Sequence, residues 1–260
     1  MRFAIQYLRQ DSIMHRMDSM TKMAWVLVLG IYAFVLGAPL LLGISVLLVI
    51  FTGLIFGRLP LATFARVLAY LLTLAVAVGV GQLFIRAGGE VLVPLPIIPI
   101  TANGLEWALR FGFRVLLISL ASMVYVWTTD PRNLILGLIH LGVPYRIAYG
   151  LFVALRFMPI MENEAEVIRQ ALAVRSVAEV SGRIEALRRY VMPLLVAGIR
   201  RSEQMAITMD SRAFGAYTTR TYVQKFRWTA SGFVLILAYL IIGALFVYVG
   251  AQTGGLFVRI

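Results

Sequence analysis

Residues 23–56 read MAWVLVLGIYAFVLGAPLLLGISVLLVIFTGLIF, without one charged side chain. The run is too long for a single bilayer crossing, because about 20 apolar residues in helical form already cover the hydrocarbon core. Gly37-Ala38-Pro39 interrupts it near the middle, where proline removes a helix donor and its ring clashes with the preceding turn. The stretch predicts two helices, about 23–37 and 39–57, joined by a tight turn. Arg66 and Arg86 bracket a third apolar block at 67–85; a fourth covers about 107–128 and a fifth about 228–250, the last bounded by Lys225 and Arg227. Composition agrees. Over 260 residues the chain is 61% hydrophobic and only 14% charged, where a soluble domain carries about 25% charge. The expected fold is an all-α integral membrane protein with about five transmembrane helices and a cytoplasmic helical domain inserted before the last span.

The charges that remain are placed unevenly. Net charge is +12, and 14 of the 24 Lys and Arg lie between Asp130 and Arg227. Basic residues flanking apolar spans follow the positive-inside rule, which fits better than a nucleic-acid surface. With residues 130–227 cytoplasmic, the N-terminus is inside with Arg2, Arg9, Arg16 and Lys22, and the outside receives little beyond Arg86 and Arg259. That divides the chain into a transmembrane region at 1–129, a cytoplasmic domain at 130–227 and a final span within 228–260. The expected location is the cell (cytoplasmic) membrane. The first 22 residues lack an apolar core and cleavage site, so no cleaved signal is expected. Cysteine is absent, which excludes disulfides, thiolate metal sites and a cysteine nucleophile.

Three features within the membrane region stand out. Glu106, Arg110 and Arg114 sit at i, i+4 and i+8 and share one helix face, either as an interfacial ladder with snorkelling arginines or as a functional intramembrane charge. Pro94, Pro96 and Pro99 forbid a regular helix in an apolar stretch, read either as a loop at the membrane interface or as a docking surface for another membrane subunit. Gly232, Gly243 and Gly250 permit close helix contacts in the last span.

The basic domain reads as a series of helices. Asp130 caps and Pro131 suits the first position of a short helix over 130–141, stopped at Gly142-Val143-Pro144. Another is expected from about 145 to 157, ending near Pro159. Met161, Ala165, Ile168 and Leu172 then form an apolar stripe opposite Glu162, Glu166 and Arg169, with Arg175 at its C-terminal end. Arg183, Arg188 and Arg189 mark a polar connection. Pro193 fits the first turn of a further helix, whose small or apolar face is Leu195, Ile199, Ser202, Ala206, Met209 and Ala213 and whose polar residues include Arg200, Arg201, Glu203 and Gln204. Arg212 falls in its last turn, and Gly215 suits the C′ position. The two helices thus end on Ala173-Val174-Arg175-Ser176 and Ser211-Arg212-Ala213. Each arginine reads either as an ordinary cation relieving the negative end of a helix, or as a tip whose small neighbours let it enter a partner's groove and pair with carboxylates.

The ordered set Asp130-Pro131, Gly142-Val143-Pro144, Arg156-Phe157-x-Pro159, Ala173-Val174-Arg175-Ser176 and Met209-Asp210-Ser211-Arg212-Ala213-Phe214-Gly215 resembles the transmembrane T component of energy-coupling factor (ECF) vitamin and metal importers. The resemblance runs over about 130–215 in motif and over the full length in span layout. It implies that two Ala-Arg-Ser or Ala-Arg-Gly motifs end coupling helices and insert into grooves of two cytoplasmic ABC-type ATPase subunits. Arg175 would be the arginine of the first and Arg212 of the second. Val174 stands where the first motif has alanine, and Ser211 and Ala213 where the second has alanine and glycine. By the same resemblance, ATPase closure moves the helices as levers and reorients a separate small membrane subunit that holds the substrate.

The chain's own residues fit a subunit without chemistry. Neither lysine follows the glycines of a phosphate loop, His15 and His140 are isolated, and Glu162, Glu164 and Glu166 diverge around a helix as a solvated face. No enzyme activity, cofactor, metal or nucleic acid is expected. The competing reading is a secondary transporter or channel moving solute through its own spans, which would need intramembrane polar groups beyond Gln82, Tyr70, Thr73 and the Arg110/Arg114 pair.

Overall fold

The computed structural model describes residues 12–85, 91–93, 100–174, 183–216 and 229–252. After a single turn, α1 (Ile13–Arg16), come α2 (Ser19–Val35), α3 (Pro39–Phe51, prolonged by a π-turn at Thr52–Phe56), α4 (Leu61–Ile85), α5 (Ala102–Thr128), α6 (Pro131–His140), α7 (Tyr145–Val174), α8 (Arg183–Ser211) and α9 (Ala230–Gln252). Two short strands, β1 (Val91–Val93) and β2 (Ile100–Thr101), pair antiparallel ahead of α5. The protein is all-α and membrane-spanning apart from that ladder. Among the described residues four helices are long and apolar enough to cross a bilayer, at Pro39–Phe56, Leu61–Ile85, Ala102–Thr128 and Ala230–Gly250. The fifth expected span is α2, apolar but only 17 residues long. At 1.5 Å per residue it reaches about 26 Å, short of a core of about 30 Å. The proline-rich residues 94–99, read above as an interfacial loop or docking surface, lie outside the described residues.

The chain forms two compact units, Met1–Gly137 with Phe226–Ile260, and Leu138–Lys225. The core of the first is built from α2, α3, α5 and α9 around Trp25, Leu29, Leu42, Val49, Leu117, Leu120 and Val124. Trp25 meets Tyr239 edge to face at 5.5 Å, and the Tyr239 hydroxyl donates to Leu48 O at 3.3 Å. Tyr32 lies against α9 where Gly243 leaves room, and Gly232 packs close to Thr21 and Asp18.

Charge locks both ends of α2. Asp18 caps its N-terminus by accepting from the Thr21 amide at 2.9 Å, and its other oxygen accepts from the Thr229 amide at 3.1 Å, just before α9. One carboxylate thus serves two positive helix ends. Lys22, counted from sequence among the flanking charges, instead lies inside α2, 2% exposed, and donates to Thr128 O at the C-terminus of α5 (2.8 Å). Along α5, Arg110 pairs with Glu106 as a ladder requires. Arg114 does not snorkel. It is buried, stacks on Phe34 and Phe111 at 5.1 and 5.2 Å, and donates through Nε to Ala33 O at 2.6 Å. Ala33 lies in the last turn of α2, whose carbonyls have no partner further along the helix. A short helix ending inside the apolar layer exposes such carbonyls where no water reaches them, and the guanidinium satisfies one.

α4 touches mainly α5. Ala75 and Gly79 face Ala108 and Gly112, two small-x-x-x-small pairs that bring the backbones together. A Cβ on Gly79 would stand 3.0 Å from Ala108 O, and one on Gly112 3.2 Å from Ala75 O.

Candidate functional site

Within the second unit, α7 and α8 form an antiparallel pair, and α8 runs out at the candidate Arg212. These helices correct two expectations. α7 does not end near Pro159 but runs through it to Val174, and α8 starts at Arg183 rather than at Pro193. The expected polar connection forms its first turns instead, where Arg189 pairs with Glu185 at 2.9 Å. Proline's fixed φ is helical, so each ring costs one hydrogen bond and some crowding, which long helical flanks on both sides absorb cooperatively. On α7, Arg169 pairs with Glu166 at 2.5 Å. Hydrogen bonds from Arg169 first and then Gln170 hold the Glu166 carboxyl below its ordinary value. The expected solvated face is thus internally neutralised there.

Two local motifs shape the chain from Asp130 to the opening of α7. The Asp130 carboxylate accepts from the Arg132 amide at 2.9 Å, and Pro131 opens α6 as expected. α6 then closes with the Gly142 amide donating to Ile139 O (3.0 Å) and the Val143 amide to Leu138 O (3.1 Å), with Gly142 at φ +94°. This is a Schellman cap with glycine in the left-handed position. Pro144 O accepts from the Ile147 and Ala148 amides and starts α7.

α8 ends by the same device with a different residue. The Ala213 amide donates to Asp210 O at 2.9 Å and the Phe214 amide to Met209 O at 3.0 Å, with Ala213 at φ +55°. Arg212 is therefore the C-cap residue and Ala213 the C′ residue. The expectation that Gly215 fills C′ is corrected, because the chain turns left-handed two residues earlier; Gly215, at φ +91°, makes a second turn. An L-residue there crowds its Cβ against the following carbonyl, at about 1–2 kcal/mol. Phe214 holds the turn in place: its ring sits 4.5 Å from Tyr149 and 5.9 Å from Tyr145. Tyr145 stacks on Tyr149 at 5.6 Å, so the Arg212 tip is pinned to the opening turns of α7. Replacing Ala213 by glycine removes the crowding but loosens the unfolded chain by about 0.5–1 kcal/mol. Ala213→Gly is expected to stabilise the tip by about 0.5–1 kcal/mol, read as slower hydrogen exchange of the Phe214 amide; unchanged or faster exchange would contradict the strain.

The first tip stands differently. Ala173 and Val174 form the exposed last turn of α7, while Arg175 and Ser176 lie outside the described residues. Of the other residues singled out from sequence, Arg156 and Arg212 are brought together with Arg201. The three line a cleft of about 530 Å³ between α7 and α8, along with Tyr149, Phe157, Gln204, Met205 and Thr208. Pro159, Ser211 and Gly215 do not line it. From sequence Arg201 is only one of the polar residues of α8. The signal that could have found it is spacing, since Arg201, Met205, Thr208 and Arg212 recur at i, i+4, i+7 and i+11 on one helix face. Among the described residues no group of His, Asp and Glu is arranged to hold a metal ion.

The CbiQ family, described as cobalt transport protein, matches this chain over residues 10–223. The chain is 29% identical over 251 residues to the energy-coupling factor transporter transmembrane protein EcfT of Bacillus selenitireducens, covering 92% of this chain and 93% of that protein. Similarity to the EcfT proteins of Listeria innocua (27% over 252 residues, 92% and 95% covered) and Lactococcus lactis subsp. cremoris (27% over 256 residues, 93% and 95%) is comparable.

Proposed function

The chain belongs to the CbiQ family of cobalt transport proteins, and from that premise we propose that it is the non-catalytic lever of an ATP-driven importer. It is a transmembrane T component of an energy-coupling factor transporter. In the proposed mechanism two cytoplasmic ABC-type ATPase subunits close on ATP and push on α7 and α8 through the Arg175 and Arg212 tips. The helices pass that motion to a small membrane subunit that holds a vitamin or a transition metal. ATP hydrolysis belongs to the ATPase subunits. The observation that carries the reading is the Arg212 tip itself. It is a strained left-handed cap, clamped by Phe214 on Tyr149, that presents an arginine flanked in the chain by Ser211 and Ala213 at the end of a long helix. A rigid helix ending in a rigid turn transmits displacement; a frayed end would absorb it.

In this proposal the chain lies in the cell membrane with its N-terminus and residues 130–227 in the cytoplasm, a reading supported by the distribution of basic residues. The self-contained transporter reading loses its best intramembrane charge, because Arg114 is engaged with the end of α2. Affinity purification from native membranes in mild detergent, followed by mass spectrometry, tests the proposal. The expected result is co-purification of ATP-binding-cassette subunits and a small, very hydrophobic membrane protein. Recovery of the chain alone, with solute flux after reconstitution, would overturn it.

A further inference from the structure

Two described arginines of the α7/α8 pair are neutralised locally at the Val174 end, and none is at the other end. Arg169 pairs with Glu166 and Arg189 with Glu185. A separate pocket between the two helices is lined by Glu164 together with Arg200 and Arg201. In the cleft beside the tip, Arg156, Arg201 and Arg212 converge with no Asp or Glu in the lining, and none of the three has an ion-pair partner among the described residues. All three are exposed to a partner. The polar Gln204 and Thr208 and the apolar Ile160, Met205 and Met209 share the lining. Three like charges around one cleft repel one another, and a partner that brings carboxylates relieves the repulsion while the guanidinium forks pair with them bidentately.

We propose that this cleft is a docking seat for a carboxylate-bearing segment of an ATPase subunit, with Arg156 and Arg201 completing a three-arginine contact of which the Arg212 tip is only the edge. The inference rests on the lever reading above and adds to it the chemistry and the place of the partner's contact. Its acidic side chains meet the arginines, and their apolar neighbours lie on Ile160, Met205 and Met209. The cleft adjoins the tip, so a subunit engaging Arg212 reaches the other two arginines in the same contact. The surface is exposed, so the attraction acts mainly on encounter and weakens with salt.

The test uses the full-length chain in lipid nanodiscs and the ATPase subunits that co-purify with it, titrated at several salt concentrations. The double variant Arg156→Gln/Arg201→Gln is expected to bind roughly tenfold more weakly and with a flatter salt dependence, since rim charges govern association rate and screening. Arg156→Lys/Arg201→Lys is expected to retain part of the salt dependence. Arg146→Gln, exposed on α7 but outside the cleft, is the control and is expected to bind as wild type. If the double variant binds as wild type while Arg212→Glu does not, the seat is refuted and the lever stands. If Arg212→Glu also binds as wild type, both fall. A photo-crosslinker at Gln204 gives a second readout that does not depend on the variants folding. Capture of an Asp- or Glu-bearing ATPase peptide supports the seat, and capture of an anionic phospholipid headgroup alone overturns it.

Discussion

Arg212→Glu is expected to abolish ATP-driven uptake and to weaken ATPase binding by at least roughly thirtyfold, the equivalent of about 2–5 kcal/mol for breaking a hydrogen-bonded charge pair at an interface. Arg212 is the C-cap of α8, followed by Ala213 in the left-handed region and by Phe214 anchored on Tyr149. The tip's conformation rests on backbone hydrogen bonds from the Ala213 and Phe214 amides, neither of which involves the Arg212 side chain. Charge reversal therefore leaves the turn standing and changes only what it presents. A carboxylate at that point repels an acidic groove, and at a helix C-terminus it also meets the negative end of the dipole. The measurement is ATPase affinity beside substrate uptake in proteoliposomes. Arg175→Glu at the first tip is expected to act in the same direction. If the double variant assembles and transports as wild type, the two arginines are not the coupling contacts.

Gly79→Leu is expected to break the packing of α4 on α5, with a loss of about 1–3 kcal/mol or more and a clear drop in thermal stability in detergent. At Gly79 the obstacle is backbone: a Cβ would already stand 3.0 Å from Ala108 O, and a leucine adds three more carbons. A flexible side chain could step aside, but the Ala108 carbonyl cannot without α5 moving. In a membrane, helix association draws on close packing rather than on water exclusion, so a lost close approach has little to replace it. Gly81→Leu, two residues away with nothing within 4 Å, is the internal control and is expected to stay within about 0.5 kcal/mol of wild type. Equal behaviour of the two variants would mean that the Ala75/Gly79 and Ala108/Gly112 contact does not hold α4 in place.

Much of this molecule is legible from residues close together in the chain. Gly37-Ala38-Pro39 separates α2 from α3, Asp130-Pro131 opens α6, and Gly142-Val143-Pro144 closes it, each through a backbone preference of the residue itself. The spans are equally plain, because hydropathy over some twenty residues is a local sum. Where α2 begins was less so. Residue 22 is charged, and charge by itself marks the edge of a span; its burial depends on Thr128 O, 106 positions away. Pro159 and Pro193 lie inside helices for a related reason, since a proline disfavours a helix by an amount that only the length and packing of both flanks can outweigh.

At the candidate site the division is sharper. The amino-acid sequence alone determines that two helices end near arginines with small neighbours, and motif order alone marks Arg175 and Arg212. It cannot say which residue turns left-handed, because alanine at C′ is disfavoured locally and persists through Phe214 packing on Tyr145 and Tyr149, some 65 to 70 residues earlier in the chain. Nor can it join Arg156 to Arg201 and Arg212, which come together only because α7 and α8 run antiparallel. Arg114 follows the same rule: spacing puts it on a face with Glu106 and Arg110, but only the position of the short α2 turns it into the partner of Ala33. Spans, caps and motif order depend on free energies that are local sums along the chain. Charge pairing and backbone strain depend on what stands across a gap of a few ångströms, and tertiary packing alone decides that.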